Sequence, residues 1–330
     1  MFYFSESFLA VDLFFVLSGF VIANAYEQKL STGLSLSRFI QIRYIRLYPL
    51  YALGTGIGLL NALWFDLIDS TFYVEVFFAL FMLPSAVGHG PFRFNGPAWS
   101  LFPEIVANVI FAIAAPRLSN AKLLLVCGTG LIGIIALAFF TPNHSLDIGW
   151  TKRSYFAGLI RVMYSFPTGV LIYRFSAYIR QSKWQYNLGN IFTLTILGIV
   201  AALLIFPIPK AVRPLYELAT IVVIFPGLVT VAILGQPDGP IAKICHFLGA
   251  TSYAIYVIHA PLSALIGHTF VTNGANVTKF DPWLGLVFLI VLLMLSWFLD
   301  QQYDQPLRKI LLSFFKNRRG NQTDAVETSA

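Results

Sequence analysis

The ionisable side chains with the spacing to do chemistry stand inside, or at the ends of, apolar runs, where each is expensive to keep. In SRFIQIRYIRLYPLY, Arg43 and Arg46 are three residues apart and share a helical face, with Arg38 shortly before them. Guanidinium groups take phosphate oxygens in bidentate fashion, which would suit a phosphorylated cytosolic donor. The same residues also read as topology-setting arginines that snorkel to lipid headgroups. In NGPAWSLFPEIVANVIFAI, Asn95 and Trp99 are four apart, and so are Ser100 and Glu104 inside the apolar run. A carboxylate at Glu104 is either a general acid or base with a perturbed pKa or half of a buried pair.

Three further segments carry polar groups of the same kind. LGATSYAIYVIHAPL places Ser252, Tyr256, His259 and Ser263 in one stripe along a helix. His259 can shuttle protons near neutral pH, or it is a hydrogen-bonded packing residue. FLAVDLFFVLSGFVIANAY sets Asp12 one turn into an apolar run, as a candidate catalytic carboxylate or an interfacial one, and Ser18-Gly19 as a small-residue helix contact. LDQQYDQPLRKI brings Asp304, Pro306 and Arg308 together where the last run ends, to pair or to cap the exit. The chain holds no Walker loop, G-x-G-x-x-G, H-E-x-x-H or G-x-S-x-G motif and no metal-ligand spacing. Cys127 and Cys245 are far apart and read as small core residues.

Composition says what scaffold must hold these groups. Of 330 residues, 57% are hydrophobic and 11% charged, and the mean hydropathy is +0.74. A soluble domain carries about a quarter charged residues, so this chain cannot cover a water-facing surface. Apolar runs recur at about 9–25, 47–65, 98–115, 122–140, 155–174, 190–206, 215–234, 248–267 and 283–301. Each is long enough, or nearly so, to cross a hydrocarbon core. The pattern predicts an all-α transmembrane bundle of nine spans plus one re-entrant or interfacial segment at 72–87, which is aromatic, interrupted by Glu75 and ended by Pro84 and Gly88. With 72–87 not crossing, 15 Lys and Arg fall on the inner side against 6 outside, and Arg161 is left within a span. The net charge of +7 is then that of inner loops. Nucleic acid is not expected as a partner, since no basic patch stands on a soluble module. Residues 1–301 are expected to form one membrane domain, and 302–330 an exit motif and a disordered cytoplasmic tail. This topology puts the N-terminus outside, with only eight residues before the first span and no signal to carry it there. That predicts a further helix upstream.

In order along the chain, VDLFFVLSGFVI, RFIQIRYIRLYPLY, NGPAWSLFPEI, SYAIYVIH and the D-x-P-x-R exit at Asp304–Arg308 resemble the acyltransferase 3 family of membrane O-acyltransferases. The resemblance covers about 300 residues. It implies transfer of an acetyl or short acyl group from cytosolic acyl-CoA to a hydroxyl, usually on a cell-surface or exported glycan, or on a lipid-linked sugar. No bound cofactor or metal is expected; acyl-CoA is a substrate. The Arg43-x-x-Arg46 pair matches the family's R-x-x-R motif, which implies that Arg43, Arg46 and Arg38 bind the donor. Glu104 matches the acidic position after W-S-L and His259 the histidine after S-Y-x-x-Y, so Glu104, His259 and Asp12 are the implied catalytic set. Family members usually begin with a helix bearing an Arg and, about ten residues later, a His thought to act at the catalytic centre. That helix is not in this sequence, which starts at the following loop, and Asp304 stands where Glu is commoner. The implied location is a bacterial inner membrane, multi-pass, with a cytoplasmic C-terminus. Two readings from other classes stay open on sequence alone. A glycan transporter or flippase would use the same polar groups without consuming a donor, and an inactive membrane partner of a true acyltransferase would keep the fold.

Overall fold

The structure, a computed structural model, describes residues 6–181, 189–235, 237–274, 277–280 and 282–315. Among these there is no β-strand. In chain order the helices are α1 (Ala10–Ser31), α2 (Leu36–Trp64), α3 (Phe72–Leu80), α4 (Leu101–Ala114), α5 (Asn120–Phe140), α6 (Tyr155–Gln181), α7 (Asn190–Ile205), α8 (Arg213–Ala219), α9 (Phe225–Ala232), α10 (Gly239–Thr272) and α11 (Trp283–Leu299). A π-helical turn, Thr220–Ile224, joins α8 to α9, and a second, Asp300–Asp304, follows α11.

Every run read as a span is helical. Among the described residues, seven helical stretches are long and apolar enough to cross a bilayer by length and composition, including Arg213–Ala232 across its π turn and Trp283–Phe315 through the exit motif. The segment at 72–87 behaves differently: its helix α3 has nine residues, about 13 Å at 1.5 Å per residue, well short of a hydrocarbon core. The exit motif does not end the last helix, which continues to Phe315. Residues 316–330, read from the sequence as part of a disordered tail, lie outside the described residues.

The chain divides into two compact units. One comprises Met1–Leu36 and Trp99–Cys245, and so holds α1 and α4 to α9. Its core gathers Leu9, Cys127, Ile134, Ala138, Leu146, Tyr164, Ile221 and Phe225. Here α1 and α6 meet backbone to backbone: a Cβ on Gly19 would stand 2.0 Å from the Phe166 carbonyl oxygen, and one on Gly169 2.0 Å from that of Val16. Contact this close needs a residue without a side chain on both helices, the small-residue packing that replaces hydrophobic association inside a bilayer.

The other unit comprises Ser37–Ala98 and His246–Ala330, and so holds α2 after its first residue, α3, α10 from His246 and α11. Phe72 and Ala79 of α3 cluster with Ala62 of α2 and with Phe94, and the Tyr51 hydroxyl donates to the Ala79 carbonyl at 2.6 Å. The outward side chains of α11, including Leu289, Ile290, Met294 and Phe298, are large, apolar and exposed, as a lipid-facing helix requires.

Prolines inside the spans free carbonyls that each unit then satisfies. Pro226 has no N–H to offer Val222 four residues back, and the Tyr164 hydroxyl bonds that carbonyl at 3.1 Å. Pro261 likewise leaves the carbonyl of Val257, which accepts from Asn95 Nδ2 at 3.1 Å.

Candidate functional site

In the unit built on α1 and α6, Asp12 and Arg161 are both fully buried and face each other. Arg161 Nη2 lies 2.5 Å from Asp12 Oδ2, and Nε reaches both carboxylate oxygens at 3.2 and 3.3 Å. The same guanidinium donates to the carbonyls of Phe8 at 2.9 Å and Ile148 at 3.0 Å, and its Cζ stands 5.4 Å from the Trp99 ring. Two charges taken out of water are tolerable only when paired and hydrogen-bonded this completely. Asp12 thus anchors the start of α1 to α6. The sequence marked Arg161 only as the charge left within a span, and that isolation was the available sign of a buried partner.

Glu104 is half-buried on α4. Spacing paired it with Ser100, four residues before, whose carbonyl accepts from the Glu104 N–H at 3.2 Å. The side chain turns to α1, where Ser18 Oγ donates to Oε1 at 2.8 Å. Ser18, read as part of a helix contact, is therefore what orients the carboxylate.

In the unit built on α2 and α10, Arg38, Arg43 and Arg46 are all half-buried in the first turns of α2. Arg38 Nη1 donates to Gln41 Oε1 at 2.7 Å. Arg46 Nη1 lies 3.5 Å from Asp304 Oδ2, its Cζ is 5.7 Å from the Tyr253 ring, and 38% of its side chain stays exposed. Asp304 is fully buried and shared, since Arg308 Nη2 also closes on Oδ2. Arg308 is held a second time by Asp300 at 3.5 Å, and Asp300 accepts from the side chains of Gln301 and Gln305 at 3.0 and 2.6 Å. The π turn Asp300–Asp304 carries both carboxylates. The exit motif thus joins the R-x-x-R segment in one network, an association that no spacing in the sequence could reveal.

The polar stripe on α10 resolves residue by residue. Ser252 and Ser263 bond back to Gly249 and Ala260 on their own helix. The Tyr256 hydroxyl reaches the Pro97 carbonyl at 2.8 Å and that of Tyr253 the Leu47 carbonyl at 2.7 Å. His259 Nδ1 faces two carbonyls, Ile255 at 3.1 Å and Tyr256 at 2.9 Å. Carbonyls only accept, so Nδ1 carries the proton and Nε2 of the half-buried ring is its basic atom.

Sequence reasoning missed a further cluster. Arg93 Nη1 bonds Asp69 Oδ2 and Glu75 Oε2, each at 2.6 Å, and Arg93 Nη2 also donates to the Leu67 carbonyl. His89 gives its backbone N–H to Glu75 at 2.7 Å and sets Nδ1 3.2 Å from Asp69. Ligand atoms of Asp69, Glu75 and His89 lie within 4.8 Å of one another, with the guanidinium as their cation. The Thr71 side chain and N–H on Asp69, and then Arg93, hold that carboxyl down to about 2. Four ionisable groups between positions 69 and 93, in an otherwise aromatic stretch, were the signal.

Helices of this length and apolarity, with ionisable groups buried in pairs, define an integral multi-pass membrane protein. A family described as "Acyltransferase domain" matches residues 3–299. The chain belongs to this acyltransferase 3 family and is a membrane acyltransferase. It is 35% identical over 154 residues to "Protein 2 in picA locus" of Rhizobium radiobacter, across 41% of this chain and 80% of that one. It is 26% identical over 286 residues to ORF330 of Acidianus two-tailed virus, named as a candidate acetyltransferase, across 83% of this chain and 78% of that one. It is 25% identical to the peptidoglycan O-acetyltransferase OatA of Listeria monocytogenes, across 94% of this chain and 53% of OatA, so it spans about half of that relative's length. No solved structure matches.

Proposed function

We propose that the protein moves an acetyl or short acyl group from acyl-CoA to a hydroxyl of a cell-surface or exported glycan, the acceptor being the glycan itself or a lipid-linked sugar. The observation that carries the donor half of this reading is Arg46. Its guanidinium is steadied on one side by Asp304 and the Tyr253 ring and remains 38% exposed on the other, as a phosphate-binding arginine must be. Arg43 and Arg38 on the same stretch of α2 add to the positive field. The glycan half draws on the printed name of the peptidoglycan O-acetyltransferase relative.

In this mechanism the acceptor hydroxyl oxygen attacks the thioester carbonyl carbon. The C–S bond breaks as the new C–O bond forms. His259 Nε2 takes the hydroxyl proton and returns it to the departing thiolate, so that ester and thiol are the products. Within its own unit Glu104 is a polar group oriented by Ser18, and Asp12 acts by holding Arg161. On the charge asymmetry of the loops, the donor arginines and the C-terminus face the cytoplasm, the inner membrane of a bacterium being the proposed setting.

The test supplies membranes containing the protein with acetyl-CoA labelled in the acetyl group and follows label into alkali-labile esters of the glycan fraction, alongside release of free CoA thiol. Wild-type protein is expected to give both, and Arg43→Ala neither, while remaining folded. Glycan translocation without thiol release would overturn the reading in favour of a transporter, and full transfer by Arg43→Ala would remove the donor assignment.

A further inference from the structure

Among the described residues, two fully buried aspartates with arginine partners, Asp12 and Asp304, have opposite geometries. Asp12 and Arg161 are both fully buried and joined through two guanidinium nitrogens, the nearest at 2.5 Å. Such a pair, wholly buried and bonded to two carbonyls besides, offers a ligand no exposed donor. Asp304 is equally buried, but it meets Arg46 through one nitrogen at 3.5 Å, at the edge of hydrogen-bond range. Its close partner is Arg308, and its other oxygen, Oδ1, has no hydrogen-bond partner although it is buried. A buried carboxylate oxygen without a donor is costly and calls for an explanation.

We propose that Asp304 is a positioning residue for the donor-binding arginine, which it holds aimed and releasable; the inference rests on the donor reading above. Arg308 is the fixed partner, locked a second time by Asp300 and braced by Gln301 and Gln305. Its charge is spent inside the network. Arg46 is the partner on loan. The loose contact points its guanidinium and lowers the repulsion from Arg308, yet leaves the group able to turn its remaining N–H donors to a phosphate oxygen. The open Oδ1 gives Asp304 a second acceptor, so that it stays hydrogen-bonded to one arginine or the other as Arg46 moves. The π turn serves the same end. Widening the helix by one residue puts Asp300, Asp304 and Arg308 on one side of it, where a regular α-helix would turn them progressively apart.

The experiment is equilibrium binding of CoA, which lacks the transferable group, together with steady-state kinetics on acetyl-CoA, for full-length wild type, Arg46→Ala, Asp304→Asn and the double variant. We expect Asp304→Asn to weaken CoA binding and raise KM by about tenfold, with kcat falling by less. The double variant should be no worse than Arg46→Ala alone, because Asp304 acts through Arg46. Asp304→Glu, which keeps the charge, should recover most of the lost affinity, and it carries the test if the asparagine variant does not fold. Unchanged CoA binding in Asp304→Asn, or losses that add in the double variant, would overturn the proposal. Wild-type protein that neither binds CoA nor turns over acetyl-CoA would instead remove the donor reading itself.

Discussion

Asn95 gives its side-chain amide to the carbonyl of Val257, 162 residues along the chain and 3.1 Å away, and it can do so because α2 is bare at Gly54. A Cβ there would stand 2.2 Å from the Val257 oxygen and 2.9 Å from Asn95 Nδ2. The bond matters because Pro261 denies that carbonyl its helical donor. Asn95→Ala should cost about 1–3 kcal/mol, the penalty for a buried acceptor left unmade. Pro261→Ala in the same chain should return part of it by restoring an N–H. Thermal unfolding in detergent reads both, and additive losses in the double variant would contradict the account.

The buried pair predicts a larger effect. Arg161→Ala and Asp12→Ala should each destabilise the protein by about 3–5 kcal/mol, since each strands a charge out of water. Replacing the two together by Met and Leu should recover most of the loss. The yield of monodisperse protein after solubilisation is the measurement, and a stable Arg161→Ala protein would show that the pair does not hold α1 to α6.

Catalysis should separate from stability at α10. His259→Ala is expected to lower kcat by about 10²–10⁴, the usual worth of a general base, with little change in melting temperature. Ser18→Ala should cost about tenfold or less, because it removes only the orienting hydrogen bond of Glu104. Full activity in His259→Ala would move the base elsewhere.

The cluster around Arg93 carries a pH dependence. Asp69 titrates at about 2 in the folded protein, chiefly because the Thr71 hydroxyl and N–H bond its charged form. That lies below the value of about 3.9 for a free aspartate. Its contribution to holding the 65–98 segment is therefore complete above that value and is lost as pH falls through about 2. Amide protection around Phe72–Leu80, corrected for intrinsic exchange, should be flat from pH 8 to 5 and collapse toward pH 2. Asp69→Asn should show the reduced level already at neutral pH; wild-type protection in that variant would exclude the carboxylate as the tie.

What the sequence reveals here, and what it withholds, follows from the range of the interactions. Helices were legible because a bilayer demands about twenty apolar residues at a stretch, a local property. Arg43 and Arg46 sharing a face was local too. Partners were not. Nothing in the spacing around Glu104 says that Ser18, 86 residues away, will bond its side chain. Pro261 announces an unsatisfied carbonyl from the sequence alone but cannot say that Asn95 will supply the donor. The π turn at Asp300–Asp304 left no trace in periodicity, since one extra residue in a helix looks like ordinary drift, and with it went the meeting of Asp304 with Arg46.

The union of Asp12 with Arg161 also bears on how the protein is made. The two residues are 149 positions apart, and a ribosome adds about 5–20 residues per second. For roughly seven to thirty seconds α1 therefore exists without the cation that neutralises it. A solitary carboxylate one turn inside a nascent span resists partition into lipid. α1 must then wait at the insertion machinery or at the headgroup level until α6 emerges, and the two must enter the bilayer as a pair. Assembly of this unit is in that sense deferred: α1 is committed only when a helix made much later arrives.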